Sequence, residues 1–343
     1  MDILSSITGT GNPFRKPELR WGIFGTSRIA EDVILAIRKN KNNQVIAVAG
    51  RNLSSTRDYA DRLQVPVAYG SYDELLGDAT IQAVYIPLPN SLHMPWTIKA
   101  LQAGKHVLVE KPFALNSDEG QQMIALSVEK SLVLMEGFNY RYHSRIQKAV
   151  EIIKKGELGK LRFVEGSFSF SLENPNDFRL VPELGGGAMY DLGCYFVDFM
   201  RMAVGREPEV LQARCFESGS GVDLQTQVQL DFGNQVFGSF NVGLNSVFQN
   251  QVRVVGTDAI LTLDHPFSGH NKSVSTIVEW EKEVQRVNYR AEDTFETLFE
   301  HFYNVVIKKE VPRFPLADSL KNMVVIDAIF QSAADNGKLI SLK

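Results

Sequence analysis

The stretch "LRWGIFGTSRIAEDVILAIRK" (residues 19–39) decides the fold. Its first six residues, "LRWGIF", are an apolar run of strand length, and from Arg28 onward the apolar residues recur at helical spacing. A strand therefore turns into a helix within "GTS", and Gly25 stands where the chain must bend most sharply. A helix entered this way offers free N–H groups and the positive end of its dipole to an anion lying beyond the strand. Gly25, Ser27 and Ala30 occupy the three positions of a G-x-G-x-x-G/A fingerprint, with serine at the second. In that fingerprint the first glycine permits the turn. A small second residue lets backbone approach a pyrophosphate, and a small third lets helix and strand pack. Serine is small enough, and its hydroxyl adds a group able to bond a phosphate.

Outward from this turn the same grammar continues. "NQVIAVAG" (43–50), "IQAVYIPLP" (81–89), "KHVLVE" (105–110) and "LVLMEGF" (132–138) read as buried strands. Helical segments separate them at "NLSSTRDYADRL" (52–63), "SYDELL" (71–76), "MPWTIKALQAG" (94–104) and "SDEGQQMIALSVEK" (117–130). Apolar strands alternating with helices mean a parallel sheet covered on both faces, the doubly wound α/β (Rossmann) arrangement. After residue 140 the pattern changes. A helix at 145–159 leads to the alternating strand "KLRFVEGSFSFSL" (160–172), then a helix near 188–204. Runs such as "DLQTQVQLDF" and "QVFGSFNVG" then describe a meandering, mostly antiparallel sheet, and two helices, about 292–308 and 318–336, close the chain. We expect an arm over 1–18, a dinucleotide-binding domain over 19–140 and an α+β domain over 141–343 for substrate binding and assembly. The last helix is a candidate to pack back on the first domain.

The bulk numbers agree with two globular domains: 343 residues, 44% hydrophobic, 22% charged. A net charge of −4 with no basic stripe argues against nucleic acid as partner. Cys194 and Cys215 are too few and too far apart for a disulfide framework or a metal set, which fits a cytoplasmic protein. No apolar run approaches a membrane span, and the first residues lack the pattern of a secretory signal.

The end of the second strand sets the cofactor. An acid there would bond the adenosine ribose hydroxyl of NAD, but this chain reads "AGRN" and has no acid until Asp58. Arg51, with Arg57 in support, suits a 2′-phosphate, so NADP is expected over NAD. The cofactor contacts we take are Gly25, Thr26, Ser27, Arg28, Ile29, Arg51, Arg57, Leu88, Pro89, Asn90, His93, Glu110, Lys111 and Arg141. In an open α/β sheet the ligand lies off the carboxyl ends of the strands, where "PLPNSLH" (87–93) and "EKP" (110–112) both sit. Lys111 at such an end would hold a substrate oxygen and stabilise charge developing on it. Glu110 would orient its ammonium, and Pro112 is a candidate for a cis bond. From the second domain, "GGGAMYDLGCYFVD" (185–198) brings Asp191 and Tyr195, four apart and so on one helical face. A phenol beside a cation can serve as general acid or base. Arg179 and Arg141 are candidates to line the substrate cleft, and Cys194 reads as packing.

Together, "GIFGTSRIA", "VYIPLPNSLH", "AGKHVLVEKP", "NYRYH" and "GGGAMYDLGCYFVD" resemble the glucose–fructose oxidoreductase / inositol dehydrogenase / MocA (Gfo/Idh/MocA) family over nearly the whole chain. The resemblance implies a catalytic lysine at Lys111, a cis bond before Pro112 and a second domain built as an open sheet that binds substrate and a partner subunit. Many members carry histidine four residues after the aspartate. Tyr195 here is similar to the branch of glucose–fructose oxidoreductase, NADP-dependent xylose dehydrogenase, dimeric dihydrodiol dehydrogenase and certain sugar-nucleotide ketoreductases. The expectation is hydride transfer between NADP and a carbon of a sugar or polyol, with Lys111, Asp191, Tyr195 and Arg179 on the substrate. The rivals are a nucleotide-sugar ketoreductase, a trans-dihydrodiol dehydrogenase and a non-catalytic NADP-binding regulator. Aromatic residues in "QVFGSFNVG" and "FSGH" suggest an uncovered apolar sheet face and a homodimer or homotetramer through it.

Overall fold

The computed structural model describes residues 18–268 and 272–342, so the expected N-terminal arm lies almost wholly outside the described residues. The first part alternates as read: β1 (Leu19–Phe24), α1 (Arg28–Lys39), β2 (Asn43–Ala49), α2 (Leu53–Arg62), β3 (Val67–Tyr69), α3 (Tyr72–Gly77), β4 (Ala83–Ile86), α4 (His93–Gln102), β5 (His106–Val109), α5 (Ser117–Glu129) and β6 (Leu134–Glu136). All strands are parallel, in the order β3-β2-β1-β4-β5-β6. The order reverses between β1 and β4, which opens a crevice at their carboxyl ends. β3 is only the three residues "VAY" between Pro66 and Gly70, too short to stand out in a sequence reading. Alternate residues of β1 explain the two covered faces. Trp21 and Ile23 join one buried cluster with Val33 and Ile34 of α1, while Phe24 joins the other with Leu75 and Leu101.

After α6 (Ser144–Lys154), β7 (Leu161–Ser171) and α7 (Cys194–Val204) come β8 (Val210–Glu217), β9 (Asp223–Asp231), β10 (Phe237–Gly243), β11 (Asn245–Gly256), β12 (Ala259–Asp264), β13 (Val274–Trp280) and β14 (Val284–Tyr289). Two helices, α8 (Thr294–Lys308) and α9 (Leu316–Ala334), and the short β15 (Ile340–Ser341) follow. The nine-stranded sheet has the order β14-β13-β12-β11-β7-β10-β9-β8-β15 and is antiparallel except for the β7–β10 pair. α8 departs from the expected division. Its Phe295, Leu298, Phe299 and Phe302 are buried with Trp21, Ile34 and Tyr85, so a helix from the far end of the chain completes the core beneath the first sheet. Apolar periodicity shows that a helix buries a face but not against what.

The outer face of the large sheet is mixed: the expectation of exposed aromatics holds at Phe237 of "QVFGSFNVG" and fails at Phe240 and Phe267. Phe240 points into the core and Phe267 is buried, while Gly269 and His270 of "FSGH" lie outside the described residues. Alternation turns Gln225, Gln227, Gln229, Gln249 and Gln251 outward, among the exposed aromatics Phe163, Phe216, Phe237 and Phe248.

The two parts are joined by a buried polar network. The Asp198 carboxylate on α7 accepts from the Tyr140 hydroxyl, from Arg141 Nε at 2.8 Å and from Asn322 Nδ2 at 2.9 Å. Arg141 also meets Asp318 Oδ2 at 2.7 Å. Beside it, burial pushes the Glu136 carboxyl up to about 7, with the Arg141 charge opposing. A carboxyl raised on folding contributes stability below its unfolded pKa and loses it as pH rises through the folded value. Glu136→Gln should therefore stabilise the protein by about 2–3 kcal/mol more at pH 8 than at pH 5. Equal changes in stability at the two pH values would contradict this.

Candidate active site

The site forms where four turns converge beyond the carboxyl ends of β1, β4 and β5. The turn after β1 fits a dinucleotide. Gly25 has φ +78°, a value side chains rarely adopt, and Thr26, Ser27 and Arg28 are exposed. Ser27 caps α1, its hydroxyl accepting from Ala30 N–H at 3.3 Å. Arg28 and Ile29 are left to present their first-turn N–H groups outward. Arg51 and Arg57 are exposed, and neither has an ion pair among the described residues. Asn52 caps α2 beside them. This donor set of turn amides, a capping hydroxyl and unpaired guanidiniums suits a pyrophosphate and a third phosphate.

The next two turns are locked together. His93 is fully buried, and its ring nitrogens lie 2.8 Å from the carbonyl oxygens of Pro112 and Leu88. Burial lowers its pKa to about 4, so the neutral ring donates to one of these carbonyls, and enclosed between them His93 is a strut joining the "PLPNSLH" and "EKP" turns and not a cofactor contact. Leu88 is buried, Pro89 half-buried, and the buried Asn90 donates to Gly185 O of the other part at 2.7 Å. Glu110 also differs from expectation. Its carboxylate accepts from the Tyr85 hydroxyl at 2.6 Å and from the Lys111 backbone N–H at 3.2 Å, with no bond to the ammonium. It seats the lysine's backbone. The Lys111–Pro112 peptide is cis.

The Lys111 ammonium is held by Asp191, donating to the backbone carbonyl at 2.7 Å and to Oδ1 at 3.2 Å. It also lies over the Tyr195 ring, 4.7 Å from the centroid. Asp191 and Tyr195 do not share a plain α-helix: Met189–Gly193 is a π turn that runs into α7. Such wide turns recur at functional sites. Asp191 Oδ2 accepts from Arg179 Nε at 2.7 Å, and Arg179 Nη1 reaches Asp177 at 3.2 Å. Arg179 thus meets the Asp191–Lys111 pair. Arg141 does not, being 4% exposed and committed to Asp198 and Asp318. Cys194 is buried in packing, which pushes its thiol up to about 12.

Electrostatics sets the resting state. Burial opposes the Lys111 charge, but Tyr195 and Asp191 outweigh it and the ammonium pKa stands above its ordinary value. Burial also raises the Tyr195 phenol, against the lowering pull of Lys111. For Asp191 burial is outweighed by Lys111 and Arg179, so the carboxyl lies below its ordinary range. At neutral pH the set is ammonium, carboxylate and protonated phenol.

Aromatic packing around Tyr195 was not foreseen. Phe267 stacks on its ring at 5.0 Å and 21°, and Phe138 and Tyr140 meet it edge-on at 5.6 and 5.7 Å. No motif marks Phe267, which arrives on the connection after β12.

This geometry is that of a dinucleotide-dependent oxidoreductase. Residues 19–138 match the oxidoreductase family with an NAD-binding Rossmann fold, and residues 146–262 match the GFO/IDH/MocA C-terminal domain. The chain belongs to the Gfo/Idh/MocA oxidoreductase family. It is 31% identical to a D-xylose 1-dehydrogenase (NADP(+)) of Haloferax volcanii over 94% of this chain and 100% of that one. It is 29% identical to the trans-1,2-dihydrobenzene-1,2-diol dehydrogenase of Xenopus laevis over 90% and 96% of the two chains. The solved 3-ketoreductase of Actinomadura kijaniata with NADP and TDP-benzene superposes with a TM-score of 0.87 at 26% identity, covering 92% of this chain and 98% of that one. Structures of that ketoreductase include variants at one lysine and one tyrosine, which lie as far apart in its sequence as Lys111 and Tyr195 do here.

Proposed function

We propose that this protein is an NADP-dependent oxidoreductase that moves hydride between the nicotinamide and a hydroxyl-bearing carbon of a neutral sugar or polyol. The observation that carries this reading is the Lys111 ammonium, held by Asp191 and lying over Tyr195, at a strand end beside the dinucleotide turn. Gly25, Thr26, Ser27, Arg28 and Ile29 would hold NADP, with Arg51 and Arg57 beside its third phosphate, and the bound cofactor would supply or accept the hydride. Lys111 holds the reacting oxygen and stabilises negative charge growing on it. Tyr195 exchanges the proton at that oxygen. Asp191, shared between Lys111 and Arg179, fixes the ammonium. The aromatic rings around Tyr195 exclude water from its inner side. Both cleft cations are matched by carboxylates, Asp191 and Asp177, which favours an uncharged substrate over a nucleotide-linked sugar. Mixing with NADP and a panel of neutral aldoses and polyols tests the reading through the absorbance of reduced nicotinamide. No reduction with any of them, alongside turnover of a nucleotide-linked sugar, would overturn it.

The direction of the Tyr195 shift gives a pH dependence. A phenol raised above its ordinary value by burial is protonated at neutral pH, ready to donate in carbonyl reduction and unable to accept until it ionises. Oxidation of the hydroxyl should therefore keep rising with pH beyond neutrality, and reduction should not. A kcat profile for oxidation that is flat between pH 7 and 9 would contradict this.

We also propose that the open face of the nine-stranded sheet pairs with a second copy. That face has Gln227, Gln229 and Gln251 turned outward, with Phe163 and Phe237 beside them. Polar rows with a few aromatics suit an interface as well as an apolar patch does. Light scattering should return about twice the single-chain mass; a single-chain mass at all concentrations would rule the pairing out. Among the described residues no helix is long and apolar enough to cross a membrane.

A further inference from the structure

We infer that Asp223, on the second sheet and remote from the reacting atoms, is a positioning residue that builds the π turn presenting the Asp191 carbonyl to Lys111. The inference rests on the reading that Lys111 takes part in the chemistry. Asp223 opens β9, is 6% exposed, and is not among the residues that the motifs mark. Its Oδ2 accepts from the Met189 N–H at 2.7 Å and from the Thr226 hydroxyl at 2.6 Å. The carboxylate therefore caps the turn from another element, satisfying a first-turn N–H that its own chain leaves open. A negative group at this end is also favourable to the helix dipole.

Two glycines make the arrangement possible. Gly187 has φ +115°, and a Cβ on it would collide with Asp223 Oδ1. A Cβ on Gly193 would collide with the Met189 sulfur. Met189 is fully buried, so its backbone is tied to Asp223 while its side chain occupies the space Gly193 leaves. Those two residues, Met189 and Gly193, are the ends of the π turn. Asp191 lies between them, and its carbonyl is the nearest oxygen to the Lys111 ammonium, at 2.7 Å against 3.2 Å for its own carboxylate. The chain of contact runs Asp223, Met189, the wide turn, the Asp191 carbonyl, Lys111. No member of it belongs to the turn after β1, and Arg179 meets it at the Asp191 carboxylate rather than at the carbonyl.

The test compares Asp223→Ala, Asp223→Asn and Gly193→Ala with Lys111→Ala in the full chain. Each is read by kcat and KM for the best sugar, by NADP affinity from fluorescence titration, and by melting temperature. Asp223→Ala should lower kcat on the order of 10- to 100-fold, the cost of misplacing a reacting group by about 1 Å. NADP affinity should stay within about twofold, because the turn after β1 is untouched, and kcat should fall by more than KM rises, because Lys111 is misplaced rather than removed. Asp223→Asn keeps an acceptor for Met189 N–H and should restore part of the loss. Gly193→Ala leaves Asp223 in place but displaces Met189, and should reproduce the kcat defect even if Asp223→Ala fails to fold. If Asp223→Ala or Gly193→Ala melts earlier yet turns over at the parent rate, the residue is a structural cap and the inference falls. If Lys111→Ala itself keeps its turnover, the underlying reading falls, whatever Asp223 does.

Discussion

Lys111→Ala and Tyr195→Phe should each lower kcat by about 10²–10⁴-fold, the range for a positioned acid–base group. The double variant should lose little more, because groups that act on one oxygen as a unit are non-additive. The structural reason is contact: the ammonium lies over the phenol ring and each shifts the other's protonation. Removing either leaves the other without its partner at the reacting oxygen. NADP affinity should survive in Tyr195→Phe, since the change removes only the hydroxyl and keeps the ring that packs beside Lys111. Losses that multiply in the double variant would show two independent roles. Most of the turnover remaining in Tyr195→Phe would remove it as the proton-transfer group.

The second large effect concerns cofactor choice. Arg51→Ala should weaken NADP by about ten- to a hundredfold, the scale of a charged hydrogen bond, and leave NAD little changed. Arg51 is exposed, has no ion pair among the described residues, and follows a strand end without a carboxylate. Its guanidinium is therefore free for a 2′-phosphate, where a carboxylate would repel one. Titrating both cofactors against both proteins decides it. Equal losses for the two would place Arg51 on a phosphate they share.

What could be read before the structure, and what could not, follows from the range of the interactions involved. The dinucleotide turn was legible at "GTSRIA" because its requirements are local: a positive φ at Gly25, a cap at Ser27, a small residue at Ala30. Lys111, Asp191 and Tyr195 were legible because each sits in a distinctive short motif, and the structure brings all three together. The roles of His93, Glu110 and Arg141 were misread because partners far along the chain decide them. His93 binds the Pro112 carbonyl, Glu110 the Tyr85 hydroxyl, and Arg141 the Asp198 and Asp318 carboxylates. A polar residue in a site-like motif looks the same whether it faces a ligand or braces a turn. The π turn was hidden for a related reason. Its extra width comes from Met189 packing where Gly193 has no side chain and from a bond to Asp223, neither visible in helical spacing. The outer face of the large sheet was half legible: Phe237 is exposed as read, while Phe240 needed the register to be placed. Phe240 pairs with Val228 and faces inward with it, leaving the glutamines outside.

The most direct measurement of the central claim follows the hydrogen itself. A sugar found active in the panel, carrying deuterium at its reacting carbon, is incubated with NADP, and the reduced cofactor is examined by mass spectrometry. Direct transfer between substrate carbon and nicotinamide predicts one deuterium on the recovered NADPH, with the signal abolished in Tyr195→Phe. NADPH formed without deuterium, or formed equally well by the Tyr195→Phe protein, would contradict the account.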